Sequence, residues 1–195
     1  MKKEMKGLLD AKVFQLVPEN YVKGRKTVKL LAKSILKHNG KYKGRAVLDG
    51  RDVNLDEDVK RLERYTPTAG LEMVKLIVAL AKREGMQIAG VDVTQAYIQR
   101  AMAEGIIVPV KMDPHLPAEF QVPEGKAAIL NAPLYGLPCS GNLWYEFLRA
   151  ILEALGFQVL ATNPGVFVRE GKDGIGKTYV ATYVDDLLIA YKNQE

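Results

Sequence analysis

The sequence predicts an α+β fold, an antiparallel sheet framework with packed helices, and three observations predict it. Short β-branched and aromatic runs are joined by turn residues rather than by helical crossovers. Asn39-Gly40 separates two such runs, and Asn-Gly between strand-like segments is the strongest short-range hairpin signal. Residues 71–84 and 140–155 instead repeat apolar side chains at helical spacing. Hairpins mixed with isolated helices are closer to α+β than to a doubly wound parallel sheet.

The elements follow in order. Residues 27–35 and 41–48 read as two strands around His38-Asn39-Gly40, and their hairpin carries Lys29, Lys33, Lys37, Lys41, Lys43 and Arg45. Residues 71–84 read as a helix with Leu71, Val74, Ile77, Leu80 and Ala81 on one face, and Gly85 stops it. Residues 87–93 form a short strand ending at Asp92, and 94–104 a short helix closed by Gly105. A strand over 106–112 precedes a proline-containing loop over 113–124. The helix over 140–155 takes Ser140 as its N-cap, Leu143, Trp144, Phe147 and Ile151 as its core stripe, and Gly156 as its stop. Residues 157–160 and 166–169 read as strands, and a glycine-rich turn leads to a last hairpin.

Composition excludes several classes of function. At 195 residues the chain forms one good core, at most with two lobes. Cys139 is the only cysteine, so there is neither a disulfide framework nor a cysteine-rich zinc site. His38 and His115 are too far apart in sequence to read as a ligand pair. The N-terminal charges lead into no apolar segment of the kind a signal peptide needs, and the apolar run 76–81 is too short to span a membrane. The net charge of +5 is unevenly placed. Residues 1–45 hold 13 Lys/Arg against 3 Asp/Glu, whereas 46–195 hold 15 against 20. A basic arm on an acidic body suits a polyanion at one end and cations at the other, although a solvated lysine-rich surface gives the same balance.

The most informative residues are Tyr183-Val184-Asp185-Asp186. Asp is depleted in strands, so two adjacent Asp inside an apolar run imply a hairpin with both carboxylates at its tip. Side by side they repel unless a cation neutralises them, and Mg²⁺ prefers hard carboxylate oxygens. Asp92 ends another strand. If that strand neighbours the hairpin, Asp92, Asp185 and Asp186 converge into the minimum constellation for a two-metal site. The competing reading of Asp92 is a cap for the helix after it.

A second motif competes. Residues 171–178 satisfy the phosphate-loop pattern G-x-x-x-x-G-K-[ST], which needs a strand before it and a helix after it. The run after it, 179–184, is β-branched and aromatic. Residues 171–176 therefore read as a hairpin turn, and a nucleoside triphosphatase using Lys177 is the lesser alternative.

Several ordered blocks resemble the reverse transcriptase of copia-type retrotransposons, over about residues 13–191. Lys41-Tyr42-Lys43-Gly44-Arg45-Ala46-Val47 resembles Y-K-A-R-L-V, and Tyr65-Thr66-Pro67 resembles F-A-P. Val91-Asp92-Val93-Thr94-Gln95-Ala96-Tyr97-Ile98 resembles L-D-V-x-T-A-F-L. Pro133-Leu134-Tyr135-Gly136-Leu137 with Leu143-Trp144-Tyr145-Glu146 resembles S-L-Y-G-L-K-Q-A-P-R-x-W-Y-E. Tyr183-Val184-Asp185-Asp186-Leu187-Leu188-Ile189 resembles Y-V-D-D-I-L-I. Each block alone is modest, and together in order they are specific.

The resemblance implies the fingers and palm of a right-handed polymerase, with about 13–88 and 106–140 fingers-like and about 89–105 and 141–195 palm-like. It implies an RNA-directed DNA polymerase whose partners are an RNA or DNA template with primer and deoxynucleoside triphosphates, with no membrane partner. Asp92, Asp185 and Asp186, with the carbonyl of Val93, would hold two Mg²⁺, for which Mn²⁺ can substitute. One ion would acidify the primer 3′-hydroxyl and the other would bind the triphosphate and the leaving pyrophosphate. Lys43 and Arg45 would reach the triphosphate or the template, with Arg suited to bidentate phosphate binding. The backbone N–H groups of Gln95 and Ala96 at a helix start suit phosphate. Tyr97 matches the position that crowds the sugar 2′ side, against a plain core aromatic. Tyr135 and Gly136 match the floor under the incoming base pair. Trp144 belongs to the pattern as core packing.

Departures from the pattern shape the expectation. Pro138-Cys139-Ser140-Gly141-Asn142 replaces K-Q-A-P-R and removes two basic residues, Gly44 replaces the usual Ala, and Val108 replaces an aromatic. The sequence stops at Glu195, just past the double-Asp hairpin, so the expectation is an incomplete palm with no thumb and no RNase H domain. The chain would belong to a longer retroelement polyprotein and reside in a cytoplasmic particle or the nucleus. The alternative is a non-catalytic nucleic-acid-binding remnant with a polymerase fold.

Overall fold

The structure is a computed structural model that describes residues 1–36, 38–51, 54–171 and 176–192. Lys37 of the basic hairpin and residues 172–175 of the phosphate-loop pattern lie outside the described residues. The chain divides into two compact units, Met1–Arg64 with Tyr97–Leu143, and Tyr65–Ala96 with Trp144–Glu195. Contacts place residues 65–88 in the second unit and 97–105 in the first.

In the first unit, α1 (Lys2–Asp10), β1 (Phe14–Pro18), β2 (Val28–Leu36) and β3 (Tyr42–Leu48) are followed by the single turn α2 (Glu57–Lys60). β5 (Pro109–Lys111) and β6 (Lys126–Leu130) complete a five-stranded sheet in the order β1-β6-β5-β2-β3. Only β2 and β5 run parallel. The hairpin at 38–40 forms as expected, with Leu36 opposite Tyr42 and Gly40 at φ 73°. α1, β1 and β6 were not read from the sequence. α1 buries Met5 and Leu8 against Val28, Leu30, Ala46 and Leu48. That docking explains Gly44, because a Cβ there would lie 2.8 Å from the Met1 backbone.

In the second unit, α3 (Leu71–Glu84) is followed by β4 (Gln87–Asp92), and α4 (Ser140–Ala154) by β7 (Gln158–Leu160), β8 (Asn163–Glu170), β9 (Lys177–Tyr183) and β10 (Asp186–Tyr191). The sheet is antiparallel throughout, in the order β4-β10-β9-β8-β7. α3 buries Ile77 and Ala81 against Val166, Ala181 and Ala190. Side chains alternate between the faces of a strand, so Phe167 points away from α3, and its ring meets Tyr145 of α4 at 6.2 Å. One helix therefore covers each face.

Several sequence expectations need correction. No α-helix forms over 94–104. Gln95 takes a left-handed φ of 55°, which cannot start an α-helix, and only a 3₁₀ turn over Ala96–Gln99 follows. The Met102 N–H then donates to the Asn131 carbonyl at 2.7 Å, which draws the segment toward the end of β6. The strand expected over 106–112 is confined to β5. Ser140 is not an N-cap. It lies in the first helical turn, buried, and its hydroxyl donates to the Leu134 carbonyl at 2.8 Å. Of the stripe expected for α4, Leu143 and Trp144 are buried, together with Tyr145, Leu148 and Leu152, while Phe147 is half-buried and Ile151 is 41% exposed. In α3, Ile77 and Ala81 are buried as expected, while Leu71 at its start is exposed. The spacing is helical in both, and the neighbouring sheet decides how far along the stripe burial extends.

Candidate active site and basic hairpin

β9 and β10 are joined by a two-residue turn, Val184-Asp185, with Tyr183 opposite Asp186. Val184 has a φ of 57° and Asp185 does not share the positive sign, which is the pattern of a type II′ turn. Gly is usual at that first position. A β-branched residue there stores strain of about 1–3 kcal/mol and persists only where its surroundings hold it. Three contacts do so. The Thr182 carbonyl accepts the Ala69 N–H at 2.8 Å, the Thr182 hydroxyl donates to the Gly165 carbonyl at 3.1 Å, and the Trp144 indole N–H donates to the Val184 carbonyl at 2.8 Å.

β10 pairs with β4 in a register that sets Asp186 directly opposite Asp92. The next backbone bond, from the Val93 N–H to the Asp185 carbonyl at 2.8 Å, makes Asp92 and Asp186 a non-hydrogen-bonded pair, the kind whose side chains lie closest. Like charges in such a position are destabilising. Both residues are exposed and line an open, largely apolar pocket of about 390 Å³ together with Val74, Gly90, Thr182 and Leu188. The tertiary structure thus brings strand β4 beside the double-Asp hairpin. The helix-capping alternative for Asp92 falls, since no α-helix follows it.

Two opposed carboxylates with a third beside them are hard oxygen donors of the type Mg²⁺ takes. Among the described residues, however, no three His, Cys, Asp or Glu side chains already gather as a metal-holding group. The backbone register supplies the pair Asp92–Asp186, while Asp185 stands in the turn, half-buried. Gln95 is exposed and Ala96 fully buried. The element that follows them is a four-residue 3₁₀ turn rather than an α-helix.

The phosphate-loop alternative fails on the same kind of test. Lys177 opens a strand, not a helix, and pairs across the ladder with Glu170, their side chains 2.8 Å apart. The Gly171 N–H donates to the Gly176 carbonyl at 2.8 Å and closes a hairpin.

In the first unit, the β2–β3 register sets Lys33 opposite Arg45 and Ile35 opposite Lys43. Lys29, Lys33, Lys43 and Arg45 share the face away from buried Leu30, Ala46 and Leu48. The Arg45 guanidinium lies 5.2 Å from the centre of the Tyr135 ring, a cation–π distance. Tyr97 stacks on the same ring at 4.6 Å, tilted by 52°. The Tyr135 carbonyl accepts the Leu48 N–H at 2.7 Å. Gly136, at φ 93°, lies so close to the Leu48 backbone that no Cβ would fit. Arg45, Tyr97, Tyr135 and Gly136, far apart in sequence, therefore form one cluster, with Lys43 exposed on the same strand face.

Residues 11–195 match the model of the reverse transcriptase (RNA-dependent DNA polymerase) family, and the chain belongs to that family. A curated relative is the retrovirus-related Pol polyprotein from transposon TNT 1-94 of Nicotiana tabacum. It is 24% identical over 201 residues, which cover 100% of this chain and 14% of the relative. Among solved structures, a foamy viral protease–reverse transcriptase in complex with double-stranded DNA is similar at 14% identity and a TM-score of 0.48, covering 98% of this chain and 26% of that one. The chain thus spans a minor part of both. The chain is therefore a domain of the reverse transcriptase family, and over its whole length it is similar to part of a retrotransposon Pol polyprotein.

Proposed function

We propose that this chain carries the nucleotidyl-transfer site of an RNA-directed DNA polymerase from a retroelement polyprotein. The observation that supports it most is the direct opposition of Asp92 and Asp186 beside Asp185, within a chain of the reverse transcriptase family. Asp92, Asp185 and Asp186, with the Val93 carbonyl, would hold two Mg²⁺. When bound, the ions supply Lewis acidity at the primer hydroxyl and neutralise the triphosphate. The Arg45 fork holds phosphate oxygens bidentately, and the Tyr135 ring keeps it oriented. Tyr97, stacked on Tyr135, crowds the sugar 2′ position and disfavours ribonucleotides. Lys29, Lys33 and Lys43 give a sequence-independent grip on template and primer phosphates.

The test is Mg²⁺-dependent extension of a DNA primer on an RNA template, beside Asp185→Asn. Extension by the wild type that disappears in the variant supports the proposal. A folded wild-type protein that binds primer–template but does not extend it rejects a self-sufficient polymerase. That result favours the second reading, a nucleic-acid-binding polymerase fold without catalysis.

A further inference from the structure

We infer that Trp144 is a positioning residue for the catalytic hairpin: its indole N–H fixes the Val184 carbonyl and thereby aims Asp185. The inference rests on the polymerase reading of that hairpin. Packing alone does not require tryptophan here, since a buried aromatic ring could be phenylalanine. The indole differs in having one donor and no acceptor, and that donor is spent on the Val184 carbonyl at 2.8 Å. Trp144 is only 3% exposed, so neither the ring nor the bond is open to free exchange with solvent.

The position of that carbonyl matters. A peptide unit is planar, so fixing the Val184 C=O also fixes the N–H of Asp185. On the other side of Asp185, its own carbonyl accepts the Val93 N–H at 2.8 Å. Both peptide planes flanking Asp185 are therefore pinned, one by Trp144 and one by the strand that carries Asp92. Without the indole bond, Val184 at φ 57° has lost one of the contacts that hold a conformation unfavourable for a β-branched residue. The turn then relaxes, and Asp185 moves away from Asp92 and Asp186.

Because Trp144 is the only tryptophan, its indole N–H gives one unambiguous signal in a ¹⁵N-labelled sample of the full chain. The inference expects that signal to be shifted downfield, protected from solvent exchange, and broadened on adding Mn²⁺. An indole that exchanges like a free one overturns it, whatever happens to activity. In Trp144→Phe, which keeps the ring and removes the donor, kcat for primer extension should fall about 10- to 100-fold, as expected when a reacting group is misplaced by about 1 Å. KM for the nucleotide should stay within about threefold, since the Arg45 contact proposed for the triphosphate is untouched. An unchanged kcat in a folded Trp144→Phe protein overturns the inference. If neither protein extends a primer, the polymerase reading fails separately, and amide exchange at residues 184–186 decides. Faster exchange in Trp144→Phe upholds positioning, and unchanged exchange overturns it.

Discussion

In the basic hairpin Lys33 lies directly opposite Arg45, and in the second unit Asp92 lies directly opposite Asp186. Each is a cross-strand pair of like charges, which costs stability. The two differ in how far the cost can be escaped. Lys and Arg side chains are long and can splay their charged ends into water, and Arg45 also rests on the Tyr135 ring. Asp side chains are short, and a non-hydrogen-bonded pair holds them close. The basic pair therefore tolerates being empty of ligand, whereas the acidic pair is relieved chiefly by a bound cation. On the proposed reading, the first unit would grip a polyanion loosely and the second would hold a small ion in place.

Five variants sharpen or break this comparison. Asp92→Asn should lower primer extension by about 10³-fold or more, as loss of a group acting in a catalytic unit does. The same change should raise the metal-free protein's stability by about 0.2–1 kcal/mol, since it removes a cross-strand repulsion. Urea unfolding with chelator present measures it, and a drop in stability would break the account of the acidic pair. Arg45→Ala should cost about 10- to 100-fold in kcat/KM for the nucleotide, the worth of a charge-assisted hydrogen bond. Arg45→Lys should recover only part of that, because Lys lacks the planar fork. Lys33→Gln with Lys43→Gln should reduce the slope of log affinity against log salt by about 1.4–1.8, the share of two phosphate contacts. An unchanged slope would place the nucleic acid elsewhere. The smallest effect is expected from Lys33→Gln alone on stability, a gain below about 1 kcal/mol. A gain equal to that of Asp92→Asn would erase the distinction between the long and short side chains.

Much of the fold was legible because its signals are local. The Asn39-Gly40 turn, the start and stop of α3, the hairpin that carries the double Asp and the strand ending at Asp92 each follow from a few consecutive residues. The readings that failed depended on distant partners. The helix expected over 94–104 has acceptable spacing, but Gln95 adopts φ 55° and Met102 bonds to Asn131. The core stripe of α4 holds at Leu143 and Trp144 and fails at Ile151, because helical spacing fixes a period and not which face meets the sheet. Trp144 was read as packing, and only its hydrogen bond to Val184, 40 residues away, gives it another role.

By itself, the sequence determined the fold class, the hairpin that lifts Asp185 and Asp186 to a tip, and the basic face carrying Lys43 and Arg45. It did so because turn residues, side-chain period and charge act over neighbours in the chain. Only the tertiary structure decided that β4 lies beside β10 with Asp92 facing Asp186, that Tyr97, Tyr135 and Arg45 share one cluster, and that an indole holds the strained turn. Those facts are pairings between segments 38 to 94 residues apart, where loop closure, register and the fit of buried surfaces choose the partner.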